Sequence, residues 1–325
     1  MTPLHSFKRI LHRSHRKYLI VVLVSSMVLL GFGMYEVKRT LVILPGTEPG
    51  TVAGADDVTI CRQCHHSTSV SKPVTIYDEW AGSMMAHSAR DPIFYAALAV
   101  ANKYNSVTGQ AHGEFCIRCH SPNGWLAGHS EDYTGQSLTG TDFDGVQCDY
   151  CHRAVDPLNP DSTVPHLNSQ VPGYGNGMHV VQRYSTPKRG PFDSVSAPHG
   201  IKYDSFQKTS ELCGVCHDVS NPFYAENAAL QAPHSYAPLE RTYSEWLMSW
   251  YATQSDSGTC QACHMETTSG FACILGDSSS LRTNLPTHDL TGGNTFLPDI
   301  LPDFDTFFNS QSRIDTAALA GGKLR

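Results

Sequence analysis

The chain has 325 residues, 40% of them hydrophobic and 16% charged, with 30 acidic against 23 basic side chains and a formal charge of −7. A net acidic protein is a poor partner for nucleic acid. A mean hydropathy of −0.26, with 26 glycines and 19 prolines, is thin for a large conventional apolar core, so something besides side chains must fill the interior.

In chain order, the first 17 residues hold Lys8, Arg9, Arg13, Arg16 and Lys17 and no acid. Leu19 to Met34 is then free of charge. Bounded by Tyr18 and Tyr35, the 18-residue run would span about 27 Å as a helix, a short membrane crossing. A signal-peptide core has a similar look, but no A-x-A-like site follows Leu30 and no lipid-accepting cysteine precedes Cys61. Residues 1–35 therefore read as an uncleaved single-pass transmembrane helix in the cytoplasmic (inner) membrane, its basic end in the cytoplasm. The remainder of the chain would face the periplasm or cell exterior. Without those five basic residues it holds 18 Lys and Arg against 30 Asp and Glu, a formal −12, so a basic patch on another protein is a better partner than any polyanion. Residues 36–58, with Pro45, Gly46, Pro49, Gly50 and Gly54, read as a tether, and 59–325 as one domain.

That domain is organised by a pentapeptide with two cysteines three positions apart and a histidine next. It occurs five times, as Cys61, Cys64 and His65; Cys116, Cys119 and His120; Cys148, Cys151 and His152; Cys213, Cys216 and His217; and Cys260, Cys263 and His264. These use ten of the eleven cysteines, where composition alone would produce roughly 0.02 matches to the C-x-x-C-H pattern. The spacing is that of covalent haem attachment. Thiols one helical turn apart can add to the two vinyl groups on one porphyrin edge, and the next residue brings its imidazole to the iron as proximal ligand. Zinc would also accept C-x-x-C pairs, but its remaining ligands usually come from further along the chain. A disulfide framework leaves five histidines unexplained. The cofactor expected is haem c, five copies, filling much of the core.

Each iron has a second axial position, and candidates for it lie between the motifs. His66 follows motif 1 directly and cannot reach its neighbour's iron, but could ligate another. Thr75 to Asp78 resembles a capping box opening a helix that sets Trp80, Met84 and His87 on one inward face. Asp91-Pro92 starts a second helix with an apolar stripe of Ile93, Phe94, Ala97, Leu98 and Ala101. Motifs 2 and 3 start only 32 positions apart, which favours two haems held close together. His129 between them sits in a loop-like setting. Residues 153–200 hold seven prolines and five glycines and no credible helix. Within them His166 and His179 are weak ligand candidates and His199 is a stronger one. Thr242 to Glu245 forms a full capping box, and Tyr243-x-Glu245-Trp246 echoes Tyr77-x-Glu79-Trp80. Cys273 has no partner left and reads as a buried free thiol. His288, in a turn-rich segment, can fold back over the last haem. A short helix is expected at Asp315 to Ala320.

Trp80-x-x-Ser83-x-x-x-His87 with Asp91-Pro92, Phe115 to Pro122, Cys213 to Pro222, and Cys260 to Met265 followed by His288 to Gly293 resemble exported multihaem c-type cytochromes, broadly of the cytochrome c554 group. The resemblance runs from Cys61 to about Leu297. It implies electron carriers with mostly bis-histidine haems, and so strengthens His87, His199 and His288 as distal ligands. The His65-His66 step is similar to small tetrahaem cytochromes, in which the second histidine serves a neighbouring haem.

The expectation is therefore a mainly α protein with extensive irregular loops, wrapped around a haem chain and anchored by an N-terminal transmembrane helix. It would carry electrons in respiration between redox proteins, a membrane complex among them, at the low potential that two imidazoles confer relative to a thioether ligand. An enzyme of nitrite or hydroxylamine type would need one open iron. Nine histidines (His66, His87, His112, His129, His166, His179, His199, His234 and His288) compete for five distal positions, and no motif replaces its histidine with lysine. A quinol dehydrogenase would need its first haem at the membrane surface, against which the tether argues. A purely structural use of the haems is the remaining alternative.

Overall fold

In a computed structural model, residues 44–304 are described except 109–112, 168, 194–195, 221–237, 276–280 and 295. The expected anchor, His112, His234 and the helix at 315–320 lie outside them. Among the described residues no helix is long and apolar enough to cross a membrane.

Among the described residues all but one of the helices are short. They are α1 (Val58–His65), α2 (Ile76–Ala81), α3 (Met84–His87), α4 (Pro92–Thr108), α5 (Gly113–His120), α6 (Pro122–Leu126), α7 (Cys148–Cys151), α8 (Ser210–Gly214), α9 (Thr242–Leu247), α10 (Cys260–His264) and α11 (Leu297–Ile300). Three two-stranded sheets join them: β1 (Lys188–Gly190) parallel to β2 (Ile201–Tyr203), and the antiparallel pairs β3 (Val219–Ser220) with β4 (Pro238–Glu240) and β5 (Thr267–Phe271) with β6 (Leu281–Pro286). The class is thus mixed, with small sheets as well as helices and long irregular stretches. No helix interrupts 153–187 among the described residues, as the prolines and glycines there dictate.

Local signals are met in part. Asp91 receives the Ile93 amide (2.7 Å) and opens α4 with Pro92 as its first residue. Of the stripe, Phe94 and Leu98 are buried, whereas Ile93 and Ala97 face outward. The single helix expected from Thr75 breaks at Gly82, and Ser83 caps α3 afresh by accepting the Ala86 amide. Neither capping box forms. The Thr75 hydroxyl donates to Glu79 (2.7 Å), while Thr242 lies inside its helix and its amide donates to Glu240 (2.7 Å). The Tyr-x-Glu-Trp echo is a real spatial repeat. Tyr77 and Trp80 meet at 5.7 Å in α2, Tyr243 and Trp246 at 5.6 Å in α9, and each helix packs on the haem motif that precedes it in the chain.

The described part of the expected tether lies against the core. Leu44 and Thr47 are buried, the Thr47 amide donates to the His179 carbonyl (2.7 Å), and Gly50 and Ala53 donate to Leu126 and Arg183. Gly46, at φ +128°, is pressed on the His179 carbonyl where a Cβ would collide.

Apolar packing is divided among small clusters. The largest joins Phe94, Leu98, Ile117, Trp125, Leu138, Phe143 and Tyr150. Between clusters run buried ion pairs. Arg90 meets Asp144 at 2.7 Å, both almost wholly buried. Asp149, inside motif 3, accepts from Arg153 (3.0 Å), from Lys188 and from the Asp56 amide (3.2 Å). Arg153 also donates to the carbonyls of Ala53 (3.1 Å) and Gln182 (3.0 Å). Removing one partner of such a pair leaves an uncompensated buried charge. Asp149→Ala is expected to cost about 3–5 kcal/mol, measured as a fall in denaturation free energy against the unaltered protein.

Candidate functional site

The five pentapeptides place each cysteine pair on or beside a short helix, with the histidine at its end. Four of the five histidines have the ring set by a backbone carbonyl. Nδ1 of His65 donates to Ala272 (2.7 Å), His152 to Arg189 (2.6 Å), His120 to Ser88 (3.3 Å) and His264 to Thr291. With Nδ1 carrying the proton, Nε2 presents its lone pair, the form in which imidazole binds a metal. Burial lowers the basicity of His65, His120 and His152 and so favours that neutral form. His217 is exposed.

Opposite two of these rings stand two of the candidate distal histidines, although His288 lies over motif 3 and not over the last motif as expected. His65 and His199 have ring centroids 6.4 Å apart at 33°, and His152 and His288 are 6.4 Å apart at 23°. An imidazole nitrogen binds a first-row metal at about 2 Å, so two rings on opposite faces of one iron have centroids roughly 6 Å apart. The donor sets therefore fit haem. A second sign is Gln147, next to Cys148 and 1% exposed, whose amide oxygen and nitrogen both lack a hydrogen-bond partner among the described residues. A polar cofactor edge would satisfy them.

His66 and His129 are each backed by a carboxylate. Nδ1 of His66 lies 2.8 Å from Asp78 and Nδ1 of His129 lies 2.6 Å from Asp142, leaving Nε2 for another partner. His87 is buried as expected but otherwise engaged. Arg90 donates to its Nδ1 (3.0 Å) and its Nε2 donates to the Ala81 carbonyl (3.0 Å), so this geometry is that of a structural histidine. His179 is likewise engaged at both nitrogens, accepting from the Tyr150 hydroxyl (2.6 Å) and donating to the Arg118 carbonyl (2.8 Å). Cys119, His179 and Cys216 lie within metal-binding reach of one another, but with both ring nitrogens committed His179 has no lone pair for a zinc ion. His166 is exposed. Cys273 is only partly buried and donates to the Leu275 carbonyl (3.1 Å).

Thiols of different motifs touch. Cys61 hydrogen-bonds Cys148, Cys119 bonds Cys216, and Cys213 bonds Cys260. In the last pair the bond to Cys213 pushes Cys260 down to about 6, while Cys213 is raised by that bond and by burial. Tyr150, between the cysteines of motif 3, reaches Cys216 of motif 4. These contacts, with Asp78, Asp142, Tyr150 and the four carbonyls, escaped the sequence, where only the position of Asp149 and Tyr150 inside a motif hinted at a role.

Residues 60–153, which include motifs 1 to 3, match the family described as cytochrome c554 and c-prime. This segment is similar to the cytochrome c554 family. The likeness points to covalently bound haem c and electron transfer, the chemistry for which the thiol pairs and Nε2-presenting rings are suited. No curated protein and no solved structure matches the chain.

Burial, then the Arg118 charge, lowers His179 from 6.5 to about 3. Its unfolded form thus binds a proton that the folded form refuses. The associated stability is complete above the unfolded pKa and is lost as pH falls from there toward 3, by up to about 1.4 kcal/mol per pH unit. In His179→Gln, denaturation free energy is expected to be lower near neutrality but to vary less with pH between 6 and 4, by about one proton.

Proposed function

We propose that the chain is a pentahaem electron carrier, each of the five motifs holding one haem c, with residues 1–35 as a membrane anchor and the haem domain on the periplasmic or outer side. The observation that carries it is the pair of histidine couples, His65 with His199 and His152 with His288, each spaced for one iron between them. His66 and His129, with carboxylates behind them, supply further distal imidazoles. Two imidazoles on an iron leave no position for substrate and hold the potential low, which favours a carrier over a nitrite- or hydroxylamine-type oxidoreductase.

Bound at these motifs, haem c supplies reversible one-electron chemistry, and the order in which the motifs touch is the order open to electrons. Motif 1 meets motif 3 through Cys61 and Cys148, motif 3 meets motif 4 through Tyr150, and motif 4 meets motif 2 through Cys119 and motif 5 through Cys260. The protein's own part is to hold four of the rings by Nδ1 and, at His65, His120 and His152, to favour the neutral form by burial. The partners proposed are other redox proteins, including a membrane complex. The setting in respiration follows from an exported, low-potential carrier.

Intact mass of the exported protein is expected to exceed the polypeptide by five haem units. His199→Ala and His288→Ala should each retain that mass and gain a high-spin ferric signal by EPR. A low-spin spectrum unchanged in both would remove these couples from the proposal.

A further inference from the structure

Motif 5 differs from its neighbours in its surroundings. No residue of Cys260–His264 is buried, and Cys263 is the one exposed cysteine while the other ten are partly buried. The chain leading into it carries a run of outward apolar side chains: Leu247 is 46% exposed, Met248 81%, Trp250 68% and Tyr251 56%. These sit on a rigid base. The Trp246 indole donates to the Gly258 carbonyl (2.7 Å), and Gly258 lies so close on the Tyr251 carbonyl that a Cβ would collide. Motif 5 is fastened to motif 4 by the Cys260 amide on Ser210 (3.0 Å) and by Gln261 on the Thr209 carbonyl (2.7 Å).

Around this apolar run the exposed charges are Glu245, Asp256 and Glu266. Of the basic residues near motif 5, Arg241 is held in an ion pair with Asp218 at 2.8 Å and Lys208 lies over the Tyr203 ring. An aromatic and methionine centre with a predominantly acidic rim is the make-up of a protein-docking surface, here one that attracts a basic partner and repels a second copy of itself.

We propose that the face formed by Leu247, Met248, Trp250 and Tyr251 beside motif 5 is the docking port for a redox protein whose cofactor edge is ringed by lysines. The inference rests on the reading of motif 5 as a haem-attachment site. The acidic rim steers the encounter, and the apolar centre holds the complex while electrons cross at the end of the motif series.

The test uses the full haem-loaded protein and, as probe, a small lysine-ringed cytochrome c. Binding is measured by calorimetry and association by stopped flow at low and high salt. Met248→Ser with Trp250→Ser is expected to raise Kd about tenfold with haem mass and visible spectrum unchanged. Glu245→Gln, Asp256→Asn and Glu266→Gln together should slow association about tenfold at low salt and flatten its salt dependence. Five haems with unchanged binding in both variants would overturn the port alone. A wild-type mass one haem short, traced by peptide mapping to motif 5, would overturn the attachment site and the port with it. Loss of a haem from the serine variant would show that these side chains cover the cofactor, and a wild-type dimer that the variant dissociates would show that a second copy occupies the face. Either result also overturns the proposal.

Discussion

A single carboxylate, Asp149, ties the centre of the structure together. It lies within the third haem motif, almost without exposure, where an unpaired charge would cost several kcal/mol. Arg153 and Lys188 neutralise it, and because each also reaches elsewhere the requirement spreads. Lys188 bonds Asp56 just ahead of motif 1, and Arg153 takes carbonyls from residues 53 and 182. The middle motif, the chain entering motif 1 and the segment leading into β1 are thereby fixed to one another.

The irregular backbone has a matching use. A carbonyl in a regular helix or sheet is already taken, whereas loops leave carbonyls to be satisfied by something else. Here they are satisfied by imidazoles. His65 is set by Ala272 and His264 by Thr291, so distant loops decide which nitrogen of each ring carries the proton. Loop content and ligand orientation are consequences of the same arrangement. The price of more regular structure would be fewer free acceptors around the rings.

The structure also separates histidines that look alike in the sequence. His87 and His199 both stand outside the motifs at positions where an imidazole could turn inward. The first is enclosed by Arg90 and Ala81 with both nitrogens occupied. The second uses Nδ1 on the Gly200 carbonyl (2.9 Å) and lies opposite His65. Burial alone would have ranked them the other way round, since His87 is the more buried. The difference between these two rings is that His199 commits only Nδ1, whereas both nitrogens of His87 are engaged.

The candidate attachment residues stand out in the sequence because the chemistry they offer is local: two thiols and an imidazole within five positions suit a cofactor edge and a metal ligand wherever the chain goes. The Asp91-Pro92 helix start and the helix-free stretch after Arg153 were legible for the same reason, being set by proline geometry and short-range capping. The capping boxes at Thr75 and Thr242 were not, since Glu79 and Glu240 compete for the same groups and neither box was strong enough to exclude them. Pairing was beyond the sequence altogether. That His199 faces His65, that His288 faces His152, and that motif 1 touches motif 3 ahead of motif 2 depend on contacts between residues more than 80 positions apart. Such contacts are chosen by how buried charges and ring N–H groups find partners across the whole chain, a condition that no short stretch of residues contains.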